Sequence, residues 1–310
     1  MENKRNQYLE RLTKMKTQLC LGTVQFGLEY GINNKTGQLS ENDVFHLLDT
    51  AYNKGVRVLD TAGAYGNAEE LLGRYIKSRN RTDLKLISKL MPKIESEGEN
   101  KSSLVVNSVS DALGRLNMSC LDGFLLHNPE QIYDESIVEG LIQAKNKGYV
   151  NHIGLSSYKI KHVEYAVDRY SIDYIQMPFN IFDHRLVTTG LVDKCKEKGV
   201  KIFARSPFLQ GLFFMEPAEA EKKIEGVFEH LLDFNRLINY YELDRAFAAL
   251  RFLIDSNIAD YAVFGVDNIR QLEEIVEIYE SKTLEVSFIS KCNERFKNLD
   301  EEIILPSLWK

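Results

Sequence analysis

The sequence lacks the features that mark several large classes of protein. Its four cysteines form no CxxC pair, and widely spaced cysteines in a chain of this length are typical of reduced thiols rather than of a disulfide framework. No stretch approaches the ~20 consecutive apolar residues of a membrane span. The charged segment 1–16 is not followed by an apolar stretch that could serve as a signal peptide. We therefore expect a soluble, cytoplasmic protein without a membrane partner.

An excess of positive charge is also absent. The chain has 39 Lys and Arg against 45 Asp and Glu, which gives a net charge of −6. Because a surface that follows nucleic-acid phosphates is normally basic, nucleic acid is not an expected partner. The six histidines occur in no HExxH or other paired ligand spacing, so a metal site is not expected either.

The 310 residues contain, instead, a regular alternation of short apolar runs with longer amphipathic segments. The runs predict eight β-strands, at 18–23, 57–61, 84–89, 121–127, 150–157, 172–178, 200–206 and 261–265. The longer segments predict helices at about 41–54, 67–78, 101–117, 134–147, 159–169, 184–198, 236–256 and 268–280. Strands that alternate with helices pair in parallel, and eight such units predict an α/β fold, a closed (β/α)8 TIM barrel. An open, doubly wound sheet is the rival architecture, but no GxGxxG follows the first strand.

Two interruptions of this spacing set the expected domain limits. Residues 1–17 are expected to form an N-terminal extension, and residues 18–310 a single barrel domain. A long loop is expected after the seventh strand, because the segment 209–235 is too long for a plain connection and is a candidate for a functional flap. Three predicted helices end in a Lys-Gly pair, in which a left-handed glycine can close the helix: Lys54-Gly55, Lys147-Gly148 and Lys198-Gly199.

Polar side chains follow three neighbouring strands at the end where barrels of this kind carry their active sites. Asp60 ends the second strand and Tyr65 lies five residues further on, whereas Lys89 ends the third strand and His127 the fourth. Each has an ordinary structural explanation when taken alone. Asp60 suits a turn or cap, Tyr65 a packed rim, Lys89 a solvated strand end and His127 a hydrogen-bonded structural position. Together, however, the four can converge in one cleft.

That combination of side chains fits the reduction of a carbonyl group. Hydride delivery to a carbonyl creates an alkoxide that must be protonated as it forms. A phenol with an ordinary pKa of about 10 is a poor acid at neutral pH unless a cation stabilises its phenolate. Lys89 can supply that charge, Asp60 can hold the ammonium, and His127 can donate a hydrogen bond to the carbonyl oxygen.

The chain resembles the aldo-keto reductase family from Leu19 to about Tyr279. The matching stretches occur in family order: LDTAGAYGNAEELLG (59–73), LISKL (86–90), LLHNPE (125–130), IGLSS (153–157), IQMPFNIFDHR (175–185), RSPFLQGLFF (205–214) and FGVDNIRQLEE (264–274). The resemblance implies a catalytic tetrad in which Tyr65 is the general acid, Lys89 and Asp60 tune it, and His127 positions the carbonyl.

The same resemblance implies a nicotinamide cofactor that lies across the barrel mouth, NADPH by family habit and NADH as the alternative. Ser156 and Gln176 match the residues that bind the nicotinamide carboxamide, and the loop 205–214 matches the one that wraps the pyrophosphate. The full set of implied cofactor contacts is Gly22, Thr23, Asp60, Ser156, Ser157, Gln176, Arg205, Ser206, Leu209, Gly211, Gly265, Asp267, Arg270, Gln271 and Glu274.

Several residues depart from the family pattern or leave the cofactor open. Ser157 stands where many relatives have Asn, and Arg205 where many have an aromatic ring that stacks on the nicotinamide. A guanidinium can also stack, but its charge is expected to disfavour the oxidised cofactor or to anchor an anionic group. Asp267 would repel the 2′-phosphate of NADPH, whereas Arg270 could clamp it. Alternatively, these last residues simply begin the final helix, with Asp267 as its N-cap.

The expected substrate is a small carbonyl compound, with Phe26, Tyr30, Tyr65 and His127 as candidate contacts. Phe208 and His184 are further candidates that can approach from other strand ends. The loop 25–38 resembles loops of bacterial relatives associated with sugar metabolism, which suggests a sugar-like or polar aldehyde. Two other functions stay open. One is a cofactor-binding, redox-sensing or regulatory subunit with slow turnover, and the other is a phosphosugar isomerase or aldolase in which a lysine forms a Schiff base. The sequence does not predict the oligomeric state.

Overall fold

The computed structural model describes residues 17–30, 37–94 and 100–309. Within them, eight parallel strands close into a barrel in sequence order: β1 Gln18–Gly22, β2 Val58–Asp60, β3 Lys85–Leu90, β4 Leu121–Leu126, β5 Val150–Ser156, β6 Tyr174–Pro178, β7 Lys201–Arg205 and β8 Tyr261–Phe264. The predicted (β/α)8 TIM barrel is therefore confirmed. Of the expected extension 1–17, all but Thr17 lies outside the described residues.

Helices connect the strands, and each of the longer ones buries one apolar face. In chain order they are α1 Val24–Gly27, α2 Glu41–Asn53, α3 Ala68–Arg79, α4 Lys101–Leu116, α5 Glu135–Asn146, α6 Ile160–Arg169, α7 Arg185–Thr188, α8 Leu191–Glu197, α9 Pro217–Glu221, α10 Phe228–Tyr240, α11 Arg245–Asp255, α12 Ile269–Glu280, α13 Val286–Phe296 and α14 Glu301–Ile304. Helix α2, for example, buries Val44, Leu47, Leu48 and Ala51, the spacing of a single helical face. In the described parts of the chain, no helix is both long enough and apolar enough to cross a membrane.

The three Lys-Gly pairs close helices as the sequence predicts. Gly55, Gly148 and Gly199 have φ values of 88°, 75° and 71°, in the left-handed region that costs a glycine little. Each chain segment then turns directly into the following strand.

Two predicted helices are each divided in the structure, and both predictions are wrong about continuity. Gly190, with φ 74°, separates α7 from α8 within the predicted helix 184–198. The predicted helix 236–256 breaks between α10 and α11, where Glu242 is left-handed and Asp244 caps α11 by accepting from the Ala246 and Phe247 N–H groups. The apolar periodicity continues across both breaks, and this is why the sequence pattern did not reveal them.

The long connection predicted after the seventh strand is present, but it is not a plain loop. It contains a 3-10 helix, Leu209–Phe214, followed by α9 and α10. Leu231 and Phe234 of α10 are fully buried, so the segment 209–235 is anchored by apolar side chains that pack into the core. Its contribution to the barrel mouth is limited to Gln210, Gly211 and Phe214.

Apolar side chains fill the interior of the barrel. Phe203 stacks on Tyr261 with ring centroids 4.2 Å apart, and Tyr174 packs on Phe203 at 4.9 Å. These rings belong to one buried cluster that draws on seven of the strands: Cys20, Val58, Ile87, Leu125, Tyr174, Phe203, Tyr261 and Val263. The barrel is consequently a packed core, and a ligand can approach from its rim.

Candidate active site

The period of two along each strand carries the polar residues into the barrel mouth. Alternate residues of a strand face the same side, so the position two residues after an interior apolar residue also faces inward. That step leads to a polar residue on five strands: Val58 to Asp60, Ile87 to Lys89, Leu125 to His127, Tyr174 to Gln176 and Phe203 to Arg205. A polar layer thus lies directly above the apolar one, at the C-terminal ends of the strands.

Lys89 lies at the centre of this layer. Its ammonium donates to the two carboxylate oxygens of Asp60 at 2.8 and 2.7 Å and to the backbone oxygen of Thr61 at 2.9 Å. It also donates to the hydroxyl of Tyr65 at 3.3 Å. Lys89 is only 2% exposed and Asp60 4%. The three side chains predicted from separate strand ends therefore form one hydrogen-bonded group.

The charges of this group keep Lys89 protonated. Burial by itself would lower the pKa of the Lys89 ammonium, but the Asp60 carboxylate and the Tyr65 hydroxyl outweigh it, and the pKa is raised. Schiff-base chemistry needs a neutral amine, which a lysine gains when burial lowers its pKa. The environment of Lys89 therefore disfavours the aldolase alternative and favours a permanent cation beside the phenol.

Tyr65 is held in place by close backbone packing of its loop. Its N–H donates to the Ala62 carbonyl at 3.0 Å, and its carbonyl accepts from Ala68 at 3.1 Å. A Cβ at Gly27 would lie 1.7 Å from the Tyr65 carbonyl oxygen, and a Cβ at Gly66 would lie 2.3 Å from the Gly27 oxygen. Only glycine permits this close approach of the two backbone segments.

His127 completes the tetrad as a neutral ring. It packs edge-on against Tyr65, with ring centroids 5.7 Å apart and planes at 89°. Burial lowers the pKa of His127 to about 4, and the charges of Lys89 and Arg205 act in the same direction, against that of Asp60. The buried Nδ1 atom has no hydrogen-bond partner among the described residues. A neutral imidazole has one N–H to donate and one nitrogen to accept with.

Glu69 supports the tetrad from the outside of the barrel. Its buried carboxylate, in the first turn of α3, accepts from the hydroxyl of Ser88, the residue before Lys89. Arg115 of α4 donates to the other carboxylate oxygen at 2.7 Å. These contacts tie β3 to two helices, so the strand that presents the lysine is anchored on its outer face.

A cleft of about 670 Å³ opens above the polar layer. Tyr65 and His127 line it, together with Tyr30, Phe208 and most of the predicted cofactor contacts: Gly22, Thr23, Asp60, Ser156, Ser157, Gln176, Arg205, Ser206, Gly211, Gly265, Asp267, Gln271 and Glu274. Residues that are distant in the sequence therefore share one surface large enough for an extended ligand.

Four candidate contacts lie elsewhere. Phe26 is fully buried in the core, because the short helix α1 turns Gln25 toward the cleft in its place. Leu209 is also fully buried, and its N–H donates to the Ser206 carbonyl at 3.0 Å. The His184 ring packs against Phe179, and its Nε2 atom hydrogen-bonds to the backbone oxygen of Ile181.

Arg270, the fourth, is exposed and lies in a separate small hollow beside Asn268 and Asp43. The alternative interpretation, in which Asp267 is the N-cap of helix α12, is also wrong. Asn268 is the N-cap of α12, and its side chain accepts from the Gln271 N–H at 3.0 Å. Asn268 and Asp267 are adjacent and both suit a cap, so the sequence alone could not separate them.

Two serines and a glutamine line the cleft opposite the tyrosine. The Gln176 amide donates to Asp60 at 2.7 Å, and its oxygen accepts from Ser156 at 3.1 Å. The hydroxyl of Ser157 contacts Nδ1 of the buried His162 at 3.1 Å and donates to the Lys159 carbonyl. The carboxylate of Asp60 is thus shared between the lysine and the residues expected to face a carboxamide.

The chain that follows β7 has an unusual backbone. Ser206, Leu209 and Gln210 all have positive φ, at 62°, 45° and 53°, a region that costs an L-residue energy. Asn180 stabilises the turn by donating to the Ser206 carbonyl at 3.0 Å. Strain of this kind is often found where a backbone must approach a ligand closely.

Several buried polar atoms along the cleft lack partners among the described residues, and they fit a nicotinamide dinucleotide. They are Gln25 Oε1, His127 Nδ1, Arg205 Nε and Asp267 Oδ1. An unpaired buried polar atom costs free energy that a hydrogen-bonding ligand can recover. Both ends of the cleft carry such atoms, as a long ligand with amide, phosphate and hydroxyl groups would require.

The sequence interpretation did not identify Gln25, Tyr158 and Gln210, which also line the cleft. The sequence held no signal for Gln25; its position is seen in the structure, where a Cβ at Gly265 would lie 2.6 Å from the Gln25 amide nitrogen. Gly265 therefore makes room for that side chain. Tyr158 directly follows IGLSS, so its position after the fifth strand could have suggested a place at the rim.

Comparison with known proteins assigns the chain to a family. The profile of the aldo/keto reductase family matches residues 18–295, so the chain belongs to the aldo/keto reductase family. Among curated proteins, it is 26% identical to the uncharacterized oxidoreductase YqkF of Bacillus subtilis, covering 85% of this chain and 91% of that protein. It is 23% identical to the aldo-keto reductase YhdN of the same species, covering 78% and 80%.

Solved structures share the fold. The holo form of the aldo-keto reductase AKR11C1 from Bacillus halodurans superposes with a TM-score of 0.73 at 21% identity, covering 94% of this chain and 95% of that chain. The family membership makes this chain an oxidoreductase of a group that reduces carbonyl compounds with nicotinamide cofactors. Among the described residues, no group of three or more His, Cys, Asp and Glu is arranged to hold a metal ion.

The low pKa of His127 predicts how the free energy of unfolding depends on pH. The folded state holds His127 neutral down to a pH of about 4, whereas the unfolded chain protonates histidine near its ordinary pKa of 6.5. The unfolded state therefore binds more protons between these two values. The free energy of unfolding should therefore decrease as the pH falls from 6.5 to 4. A His127→Gln variant should show a weaker decrease in urea unfolding across this window.

Histidine NMR provides the direct check. The Cε1–H signal that disappears in His127→Gln should titrate near pH 4 in the parent protein. A midpoint close to that of an exposed histidine would contradict the neutral ring described above.

Proposed function

We propose that this chain reduces an aldehyde or ketone to the alcohol by hydride transfer from NADPH, with Tyr65 as the general acid. The observation that carries the proposal is the position of the Lys89 ammonium, 3.3 Å from the Tyr65 hydroxyl and held by both oxygens of Asp60. A cation in this place has little use in a binding module but stabilises the phenolate that proton donation leaves behind.

The chain's own residues supply the proton and the polarisation that the reaction requires. When bound, the nicotinamide supplies a hydride to the carbonyl carbon. Tyr65 donates its hydroxyl proton to the carbonyl oxygen as the negative charge develops there, and Lys89 stabilises the tyrosinate. His127, neutral because of its low pKa of about 4, donates its N–H to the same oxygen without adding a full charge.

The residues proposed to hold the cofactor follow from the lining of the cleft. Ser156 and Gln176, fixed by each other and by Asp60, would bind the carboxamide, with Ser157 beside them. Gly22 and Thr23 would lie along the nicotinamide, and the strained turn at Ser206 and Gly211 would approach the pyrophosphate. Gly265, Asp267, Gln271 and Glu274 would contact the adenosine end.

NADPH is favoured over NADH by the start of α12. The first N–H groups of a helix attract anions, and Arg270 lies in the first turn of this helix with its side chain exposed. Arg270 does not line the cleft itself, but Asp267 and Gln271, close to it in the sequence, do. A 2′-phosphate that extends past them would reach the Arg270 side chain and the helix N-terminus. The carboxylate of Asp267 would instead repel a 2′-phosphate. The backbone N–H of Asp267 does not bind the phosphate either, because it donates to the Gln271 side chain at 2.7 Å.

Replacing Tyr65 by Phe tests the general acid. Because the phenol supplies the proton, Tyr65→Phe should lower kcat for aldehyde reduction by roughly 100-fold or more while leaving the NADPH dissociation constant nearly unchanged. The measurement is the loss of NADPH absorbance, together with a fluorescence titration of binding. Tyr240→Phe, at a side chain that is 81% exposed, is the matched control. Full activity in Tyr65→Phe would refute the proposed role, and NADPH binding without reduction of any aldehyde by the parent would favour the regulatory alternative.

Replacing Arg270 tests the choice of cofactor. Because a charged hydrogen bond to the 2′-phosphate would be lost, Arg270→Met should weaken NADPH binding about 10-fold or more and leave NADH binding within about 2-fold. Both dissociation constants can be measured by titration of the same protein. Equal losses for the two cofactors, or no loss for either, would mean that Arg270 does not read the 2′-phosphate.

A further inference from the structure

Arg205 is a cation in the cleft that the reduction chemistry does not use. It ends β7, and it is the one lysine or arginine among the described residues that line the cleft. Its guanidinium carbon lies 3.8 Å from the centroid of the Tyr158 ring, so an aromatic face of the protein itself covers it. Its buried Nε atom has no hydrogen-bond partner in the described part of the chain.

The other charges at the catalytic end of the cleft are already balanced. The Lys89 ammonium is neutralised by Asp60 in a buried pair at 2.7 Å. Arg205 has no carboxylate within ion-pair distance among the described residues, although Asp60, Asp267 and Glu274 also line the cleft. One positive charge consequently remains without a partner inside a site of limited solvent access, where an opposite charge on a ligand gains the most.

Arg205 acts near the carbonyl site rather than at the far end of the cleft. Its charge contributes to the low pKa of His127, after burial and Lys89. Burial raises the pKa of Tyr30 to about 12, and the positive charge of Arg205 partly offsets this increase. The Tyr30 hydroxyl accepts from the Gln210 amide at 3.0 Å, and both side chains line the cleft. Arg205 and His127 also belong to the same polar layer at the C-terminal ends of the strands, and both line the cleft. The guanidinium therefore shares the part of the cleft where the carbonyl is proposed to bind.

We propose that the preferred substrates are aldehydes or ketones that carry a carboxylate, an inference that rests on the proposed function. Arg205 binds the carboxylate while the carbonyl lies between Tyr65 and His127. A guanidinium presents a planar fork of N–H donors that matches the two oxygens of a carboxylate. A phosphate dianion is less well matched, because no second cation lines the cleft among the described residues. An uncharged substrate would leave the guanidinium unpaired, so charge discriminates between substrates.

The test compares 4-carboxybenzaldehyde with its methyl ester, two aldehydes of similar size that differ in charge. With saturating NADPH, the parent should reduce the acid with a kcat/KM at least about 10-fold higher than that for the ester. Arg205→Met should abolish this preference by raising the KM of the acid, so that the ratio of the two kcat/KM values falls to about 1, with NADPH kept saturating for each variant. Arg205→Lys should retain part of the preference. Arg169→Met, which removes an exposed arginine that pairs with Glu135, controls for net charge and should behave as the parent does.

Each other outcome has a distinct meaning. Equal rates for acid and ester in the parent would overturn the inference and leave the proposed reductase function intact. If Arg205→Met keeps the parent's acid-to-ester ratio while both rates fall and NADPH binding weakens, the inference is overturned and Arg205 is assigned to the cofactor. If the parent reduces neither these nor any other aldehyde while it binds NADPH, the proposed function itself fails, and the inference fails with it.

Discussion

The buried ion pair between Asp60 and Lys89 is the constraint on which the rest of the site depends. Two charges that are almost completely removed from water are tolerated only when each satisfies the other. Asp60 meets this condition with the Lys89 ammonium and the Gln176 amide, which links β2, β3 and β6. The same ammonium reaches the Thr61 carbonyl and the Tyr65 hydroxyl. One electrostatic requirement therefore fixes the relative positions of three strands and the loop that carries the phenol.

The sequence predicted this arrangement well, because two regular periods determine it. The alternation of strands and helices gave the barrel, and the period of two along each strand placed Asp60, Lys89 and His127 on the inner face at its C-terminal end. A residue at the end of a strand has little freedom of position. For this reason Asp60, Lys89 and His127 could be predicted from the strand ends, whereas most of the cofactor contacts were implied by the resemblance to the aldo-keto reductase family.

Residues outside the strands were harder to predict, because their direction depends on local turns. Phe26 and Gln25 are neighbours, and the short helix α1 alone decides which of them faces the cleft. Leu209 lies in a strained turn that buries its side chain while the adjacent Gln210 faces the rim. The position of Tyr158 after β5 suggests the rim, but its stacking on Arg205 follows only from the structure. None of these choices leaves a periodic signal in the sequence.

The most direct test of the central claim removes the ammonium without leaving a buried carboxylate unpaired. Lys89→Met alone would strand Asp60 and destabilise the fold by about 3–5 kcal/mol, so the informative protein is the double variant Lys89→Met/Asp60→Asn. Its single-turnover rate with NADPH and 4-carboxybenzaldehyde should fall by roughly 100-fold or more, although circular dichroism shows a folded barrel and the cofactor still binds. A folded double variant that reduces the aldehyde at the parent rate would contradict the role assigned to the lysine.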